Sequence, residues 1–306
     1  MPTSLLPNDI LNICGETLKI HGYWLASGIL GVAASTMIRA VHAGADAVVT
    51  KSLGSSPRKG HAGPVLTASH GGLLNAIGLT NPGIDAFEDE MKLLNKAKIP
   101  VIMSVFGNTP KEIAHIVEKA VKMKPSAIEL NLSCPHAEIS QISHSPDLTY
   151  KYVKSAKEIA DVPVFAKLTP NASDYVSVGK AAQEAGADAI VAINTVRGMR
   201  IDIHQQQPIL GNMVGGLSGP SIFPIAVRCV YDLYKTLSIP IIGVGGVSSW
   251  EDAVEMHLAG ARAIQIGTAV MNDIDVFSKI KNGVSRYIEE SGLNSVDDII
   301  GAGVKS

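Results

Sequence analysis

Two phrases alternate along this chain, and together they leave few folds open. A short β-branched run led by proline occurs three times, as Ile99-Pro100-Val101-Ile102, Val162-Pro163-Val164-Phe165 and Ile239-Pro240-Ile241-Ile242. A second phrase, Ala-Gly-Ala followed by an apolar run, covers Ala43–Val49, Ala185–Val191 and Ala259–Ile264. Each copy of the second phrase reads as a helix C-terminus closing on glycine and running into a buried strand. The proline falls at the first strand residue, where its missing N–H costs the ladder little. Amphipathic stretches at Pro110–Met123, Asp147–Ala160, Ser173–Ala185 and Ser249–Leu258 separate the strands. Eight strands are predicted: Tyr23–Ser27, Ala47–Lys51, Val101–Val105, Ala127–Leu132, Val164–Leu168, Ala189–Asn194, Ile241–Val244 and Ala263–Gly267. Short apolar strands alternating with helices predict parallel βαβ units. An open doubly wound sheet gives the same alternation, so periodicity alone does not choose. Eight units, and the chemistry at the strand ends, favour a closed (β/α)8 TIM barrel of the α/β class, built as one domain over residues 1–306. At 306 residues, 46% of them hydrophobic, the chain can fill one such core.

Charge and cysteine usage exclude several classes. The net charge is -2 with acids and bases interspersed, and no basic tract offers itself to nucleic acid or to an anionic membrane. The three cysteines, Cys14, Cys134 and Cys229, are too few for a paired framework and lack a C-x-x-C spacing. That argues for a reducing compartment and against structural zinc. Met1 to Asn12 carries Asp9 and no positive leader, and the apolar run Tyr23–Ile38 is broken by glycines and too short to span a bilayer. A cytoplasmic chain is expected.

The polar residues gather where a parallel barrel builds its site, at the carboxyl ends of the strands. Strand two ends in Lys51, strand four in Asn131-Leu132-Ser133-Cys134-Pro135-His136, and strand five in Lys167-Leu168-Thr169-Pro170-Asn171. Strand six ends in Asn194-Thr195, and the loop after strand two adds Asn75 to Asn81. Amides at Asn75, Asn131 and Asn194 present paired donors and acceptors, suited to a planar ring with imide-like edges. Glycine turns after strands seven and eight, Gly243-Val244-Gly245-Gly246 and Gly267-Thr268, match the barrel's usual phosphate site, where backbone N–H groups face the anion. A dinucleotide fingerprint is a poorer match, because Ser248 stands at its third glycine. One phosphate site and no second nucleotide site point to FMN rather than NAD.

On these residues the sequence resembles the dihydroorotate dehydrogenases, and within them the NAD-linked class 1B catalytic subunit. The likeness rests on Ala26-Ser27-Gly28, on Leu73–Gly83 (LLNAIGLTNPG), on Asn131–Pro135 (NLSCP), on Ile193–Ile203 (INTVRGMRIDI), on Gly215–Pro220 (GGLSGP) and on Gly243–Gly246. It implies oxidation of (S)-dihydroorotate to orotate in pyrimidine (UMP) biosynthesis, the proton leaving C5 for Cys134 and the hydride leaving C6 for flavin N5. It makes Lys51, Asn75, Asn131, Asn194 and Thr195 the grip on the pyrimidine. Ile77-Gly78-Leu79 would bring backbone N–H groups to its carboxylate, with Lys51 close by, and His136 would donate to the ring or to the carboxylate. Ala26, Gly28, Lys51 and Lys167 become flavin contacts, and Gly219, Gly245, Gly246, Gly267 and Thr268 the phosphate cradle. Free cysteine titrates near about 8.5, so a catalytic Cys134 needs positive neighbours. The polar segment from His136 to Pro146 would act as a lid over the substrate.

Two residues or stretches depart from the family pattern. His136 stands where the family's motif ends in asparagine, and dihydropyrimidine dehydrogenases, which act on uracil and thymine, share that histidine. Lys59-Gly60-His61-Ala62-Gly63 replaces a Gly-Asn-Pro turn. The orotate carboxylate favours dihydroorotate, since no acidic side chain lies in Ile77-Gly78-Leu79 to repel it. An ordinary iron–sulfur cluster takes four cysteines, and this chain has three. NAD linkage therefore implies an electron-transfer subunit carrying the cluster and FAD, around a homodimer core; a stand-alone enzyme using fumarate or another acceptor is the competing version. From other classes, Lys167 at a strand end also suits a Schiff-base aldolase, and a flavin barrel without catalysis would serve as a scaffold.

Overall fold

The computed structural model describes residues 11–14, 17–132 and 145–305, with side chains described from Ile20 onward outside the gap. An N-terminal antiparallel hairpin, β1 (Leu11–Cys14) with β2 (Thr17–Ile20), leads into the first barrel strand, β3 (Gly22–Leu25). After β3 come α1 (Ala34–His42) and β4 (Ala47–Val49). A hairpin of β5 (Leu66–Ser69) and β6 (Gly72–Asn75) follows, then α2 (Glu88–Lys96), β7 (Val101–Val105), α3 (Pro110–Lys122) and β8 (Ala127–Asn131). Next are α4 (Pro146–Lys157), β9 (Val164–Leu168), α5 (Tyr175–Glu184) and β10 (Ala189–Ala192). Four short strands, β11 (Val196–Met199), β12 (Ile201–Asp202), β13 (Gln207–Pro208) and β14 (Val214–Ser218), interrupt the alternation. It resumes with α6 (Phe223–Thr236), β15 (Ile241–Val244), α7 (Trp250–Leu258), β16 (Ala261–Ile266), α8 (Ala269–Asn272) and α9 (Val276–Glu290).

Strands β3, β4, β7, β8, β9, β10, β15 and β16 close in chain order into a parallel eight-stranded barrel, β16 pairing back onto β3. The (β/α)8 fold is the one predicted. All three Ala-Gly-Ala phrases behave as read. Helices α1, α5 and α7 end on Ala43, Ala185 and Ala259, and the glycines that follow take φ of +110°, +94° and +116°, a backbone region that favours glycine. The prolines stand one residue ahead of the strands rather than at their first residue. The carbonyls of Pro100, Pro163 and Pro240 still accept from Val48, Ile128 and Ile190. Helix starts are set by side chains: Thr109 caps α3 and Ser145 caps α4, each ahead of a proline, and Ser249 with Asp252 forms a capping box on α7.

Alternate residues of each strand face opposite ways and build two cores. One lies between strands and helices; the other fills the lumen with Trp24, Val49, Ile102, Phe165, Val191, Ile242 and smaller neighbours. Trp24 on β3 and Phe165 on β9 stack across the lumen, 6.3 Å between ring centroids. The barrel is thus a packed core rather than a pore, so only its mouth is available for chemistry.

Over that mouth lies a second sheet that the periodicity did not predict, antiparallel in the order β11-β14-β6-β5. It is drawn from the loops after the second and sixth barrel strands. Several strand ends also fall short of expectation: β3 stops at Leu25, β4 at Val49, β8 at Asn131, β10 at Ala192 and β16 at Ile266, while β16 begins at Ala261. Beyond those points the backbone leaves the ladder to form the loops of the mouth. No helix among the described residues is long and apolar enough to cross a membrane.

Candidate active site

A continuous line of hydrogen bonds joins the strand ends at the barrel mouth. Asn194, just past β10, accepts from the backbone N–H of Thr195 at 2.7 Å and donates to Asn131 Oδ1 at 3.2 Å. Asn131, at the end of β8, donates in turn to Ser52 Oγ at 3.0 Å. Ser52 lies 2.9 Å from Ser104 Oγ and 3.4 Å from Ser27 Oγ, and Ser27 donates to the Thr50 carbonyl. An amide whose oxygen and nitrogen both have fixed partners cannot flip, so the donor and acceptor edges of Asn131 are set. Two of the three predicted amides are therefore held in one network. Serines 27, 52 and 104 were not singled out from the sequence; the available signal was a hydroxyl inside the buried run Met103-Ser104-Val105 and another directly after Lys51.

The third amide arrives from the sheet above. Asn75, the last residue of β6, donates to the Gly216 carbonyl on β14 at 3.1 Å. A Cβ on Gly216 would fall 2.2 Å from Thr195 Oγ1, so glycine is what lets β14 press Asn75 towards the Thr195 side of the mouth. Asn171 steadies the same corner, donating to the Thr195 carbonyl and accepting from Arg197 N–H. The Ile77-Gly78-Leu79 turn has φ of +78° and +58° at its last two residues. It packs on His61, whose N–H donates to the Ile77 carbonyl and whose ring occupies the space a Gly78 side chain would need. The divergent Lys59–Gly63 stretch thus runs directly beneath this turn, and His61 is a neighbour that the resemblance did not supply. Asn81 pins the end of the same loop, accepting from Gly54 N–H and Gly83 N–H.

Lys51 follows β4 and is half-buried. Burial holds its pKa below the usual lysine value, and the nearby Lys167 lowers it further. Lys167 points into the lumen, donating to Glu129 Oε1 at 3.3 Å and to Gln265 Oε1 at 3.1 Å. The latter two residues are joined by a bond of 2.7 Å from Gln265 Nε2 to Glu129 Oε2. Lys167 is buried and shared between a carboxylate and an amide oxygen, a setting that gives the aldolase alternative no support. Glu129 and Gln265 also escaped the sequence reading, although a charge inside the buried Ala127–Asn131 strand was there to be noticed.

The glycine turns gather around the start of α6 and the Ser218–Gly219 corner. Gly245 and Gly246 have φ of +134° and +80°, and side chains there would strike Ala226 and Phe223 at the start of α6. Gly219, at φ +97°, precedes the turn into α6, and Thr268 Oγ1 donates to Ser218 Oγ beside it at 2.8 Å. Gly267 faces Ala26, where a Cβ on the glycine would lie 3.6 Å from the alanine Cβ. Gly28, at φ +103°, is exposed and has open space around it. Backbone N–H groups at glycine turns, a helix start and two hydroxyls are a donor set that fits a phosphate. Lys167 has a third N–H beyond the two bonds it makes among the described residues, which fits a ring acceptor at the mouth.

Cys134, His136 and the expected lid lie outside the described residues, apart from Ser145 and Pro146 at the start of α4. Cys229 is buried, its thiol pushed up chiefly by burial, in keeping with a structural role. Among the described residues no group of histidine, cysteine and carboxylate side chains could hold a metal ion.

A closed parallel barrel with amides and lysines at the carboxyl ends of its strands, and glycine turns beside a helix start, is a (β/α)8 barrel whose candidate site lies at its mouth. The sequence profile described as "Dihydroorotate dehydrogenase" matches residues 11–288. The chain belongs to that family, which is flavin-dependent. It is 48% identical over 294 residues to a protein of Methanosarcina acetivorans, covering 95% of this chain and 94% of that one. It is 50% identical over 284 residues to a protein of Pyrococcus abyssi, covering 92% and 94%. Both relatives bear the name dihydroorotate dehydrogenase B (NAD(+)), catalytic subunit. In fold, the chain resembles the crystal structure of a dihydroorotate dehydrogenase from Eimeria tenella in complex with ferulenol. There the TM-score is 0.79 at 19% identity, with 92% of this chain and 84% of that one covered.

Proposed function

We propose that this chain oxidises (S)-dihydroorotate to orotate in pyrimidine biosynthesis, as one FMN-binding domain over residues 1–306. One observation carries the reading. Asn75, Asn131 and Asn194 are brought to one mouth beside Lys51, a half-buried ammonium with no carboxylate partner among the described residues. A flat ring with imide edges answers the amides, and its carboxylate answers the lysine. Uracil and thymine offer no carboxylate, which sets the dihydropyrimidine alternative aside.

In this reading Asn75, Asn131, Asn194 and Thr195 orient the pyrimidine, while Lys51 and the Ile77-Gly78-Leu79 backbone hold its carboxylate. Cys134 takes the proton from C5, assisted by positive charge from Lys51 and from His136 when protonated. FMN would be held by Ala26, Gly28, Lys51, Lys167, Gly219, Gly245, Gly246, Gly267 and Thr268, and when bound it supplies the acceptor for the hydride from C6. The sheet over the mouth keeps water from the reacting carbons.

The relatives' name implies a partner subunit for them. For this chain we infer a homodimer core and an electron-transfer subunit with an iron–sulfur cluster and FAD, in the cytoplasm. Met199 at the end of β11, Ile201 and Ile203 in and just after β12, and Met213 just ahead of β14 are exposed, and are surface of the kind that subunit contacts bury.

The test is spectroscopic. Purified chain supplied with FMN is expected to be yellow, and to bleach anaerobically with dihydroorotate but not with dihydrouracil. Cys134→Ala should keep the colour and slow the bleaching by about 100-fold or more, the usual worth of a positioned base. A protein that stays colourless with FMN, or that bleaches only with dihydrouracil, would overturn the assignment.

A further inference from the structure

The lumen of this barrel is lined mainly by alanine, valine, isoleucine, tryptophan and phenylalanine, with Ser104 and a group of larger polar side chains at its upper end. There Glu129 on β8, Lys167 on β9 and Gln265 on β16 form a closed triangle of hydrogen bonds. Strands β8 and β16 lie opposite one another in the eight-stranded ring, so the 2.7 Å bond between Gln265 and Glu129 is a crossbar spanning the lumen. All three side chains are buried: Glu129 is 0%, Gln265 1% and Lys167 5% exposed.

Stability does not explain the triangle. Desolvating a carboxylate and an ammonium costs about as much as their attraction returns, and apolar replacements of similar volume are often neutral or better. The lumen is otherwise filled mostly with hydrocarbon, so this sequence has the means to pack such space without charge. Geometry suggests another purpose. Both Glu129 oxygens are used, one on Lys167 and one on Gln265, and both ends of the Gln265 amide are used, so neither side chain can turn. The lysine they hold is the one with a donor to spare, below the mouth where Asn131 and Lys51 stand.

We propose that Glu129 and Gln265 are positioning residues that fix Lys167 and balance its charge beneath the flavin, and so set the cofactor's reduction potential. The inference rests on the flavin reading given above. Two-electron reduction leaves negative charge on the N1–C2 side of the ring, and a fixed cation there favours the reduced form. Glu129 offsets that cation, whereas Gln265 keeps it in place. Removing one or the other therefore moves the potential in opposite directions.

Glu129→Gln, nearly the same shape, exposes the full lysine charge. The potential should rise by at least a tenfold change in the ratio of reduced to oxidised flavin, about 30 mV for a two-electron couple. Gln265→Met keeps both charges but removes the clamp; the potential should fall and FMN should bind more weakly. Potentials are read by equilibration with a redox dye, beside FMN dissociation constants and melting temperatures. Melting temperatures that drop while both potentials and FMN affinity stay at wild-type values would make the triangle purely structural and overturn the proposal. Should Glu129→Gln fail to fold, the direction of the Gln265→Met shift decides alone. Failure of the flavin reading looks different, because then the wild-type chain itself stays colourless with FMN.

Discussion

At the residue scale the site turns on one cation with no carboxylate partner among the described residues. Lys51 sits where burial and Lys167 both favour its neutral form, so it releases its proton at a lower pH than the roughly 10.4 of free lysine. A bound carboxylate pushes the other way, since it interacts with the charged form alone. Ligand affinity is therefore full while Lys51 is charged in the free protein and declines as pH rises through its lowered pKa. Orotate binding, followed by its perturbation of the flavin band, should weaken on the alkaline side before free lysine would titrate. Lys51→Met should bind orotate about 10- to 100-fold more weakly at neutral pH, the worth of a hydrogen bond to a charged group, with that alkaline decline removed. Equal pH profiles for wild type and variant would show that another group governs binding.

At the scale of elements, what could be read in advance was what has a period. The eight barrel strands are short apolar runs between glycine and proline, each followed by a stretch of helical period. Their number follows from that alternation, and the closed ring from the count of eight together with the polar residues at the strand ends. The sheet over the mouth has no such signature. Its strands β6, β11 and β14 are four or five residues long, glycine-rich and half-exposed, and what pairs them is the meeting of two loops far apart in the chain. Motif resemblance marked Asn75, Thr195 and Gly219 without revealing that a sheet delivers them. Inside the barrel the same limit applies to Glu129 and Gln265, each a single polar residue in an apolar strand, which become meaningful only when β8 and β16 face each other. The sheet makes its own prediction. Gly216→Ala places a methyl against Thr195 Oγ1, at the residue whose carbonyl accepts from Asn75. Overpacking of about 1–3 kcal/mol confined to this corner should raise the KM for dihydroorotate about 5- to 100-fold while the flavin band is retained. An unchanged KM would mean that Asn75 and Thr195 reach the substrate by some other support.

At the scale of the whole molecule, the barrel stands or falls on the seam where its last strand meets its first, and one histidine is built into that seam. His257, the penultimate residue of α7, lies with Nε2 3.2 Å from Tyr23 Oη on β3 and Nδ1 2.7 Å from the carbonyl of Ala261 on β16. Burial drives its pKa down from 6.5 to about 4, and burial likewise raises that of Tyr23. Both groups are therefore neutral in the fold over the ordinary pH range. In the unfolded chain an imidazole titrates near about 6.5. Between that value and about 4 the unfolded chain takes up a proton that the folded chain refuses, so acidification favours unfolding. The stabilising contribution is complete above about pH 6.5 and is lost as pH falls towards the folded value, reaching about 3 kcal/mol for a shift of this size. Melting temperatures taken at about pH 7, 5.5 and 4.5 should fall accordingly. His257→Gln, which keeps a polar side chain but cannot titrate, should start lower at neutral pH for want of the paired bonds and then lose less on acidification. If both proteins lose the same amount over that range, the acid sensitivity lies elsewhere in the carboxylates. If the variant's profile is the flatter one, closure of the barrel is itself the pH-sensitive step in holding this fold together.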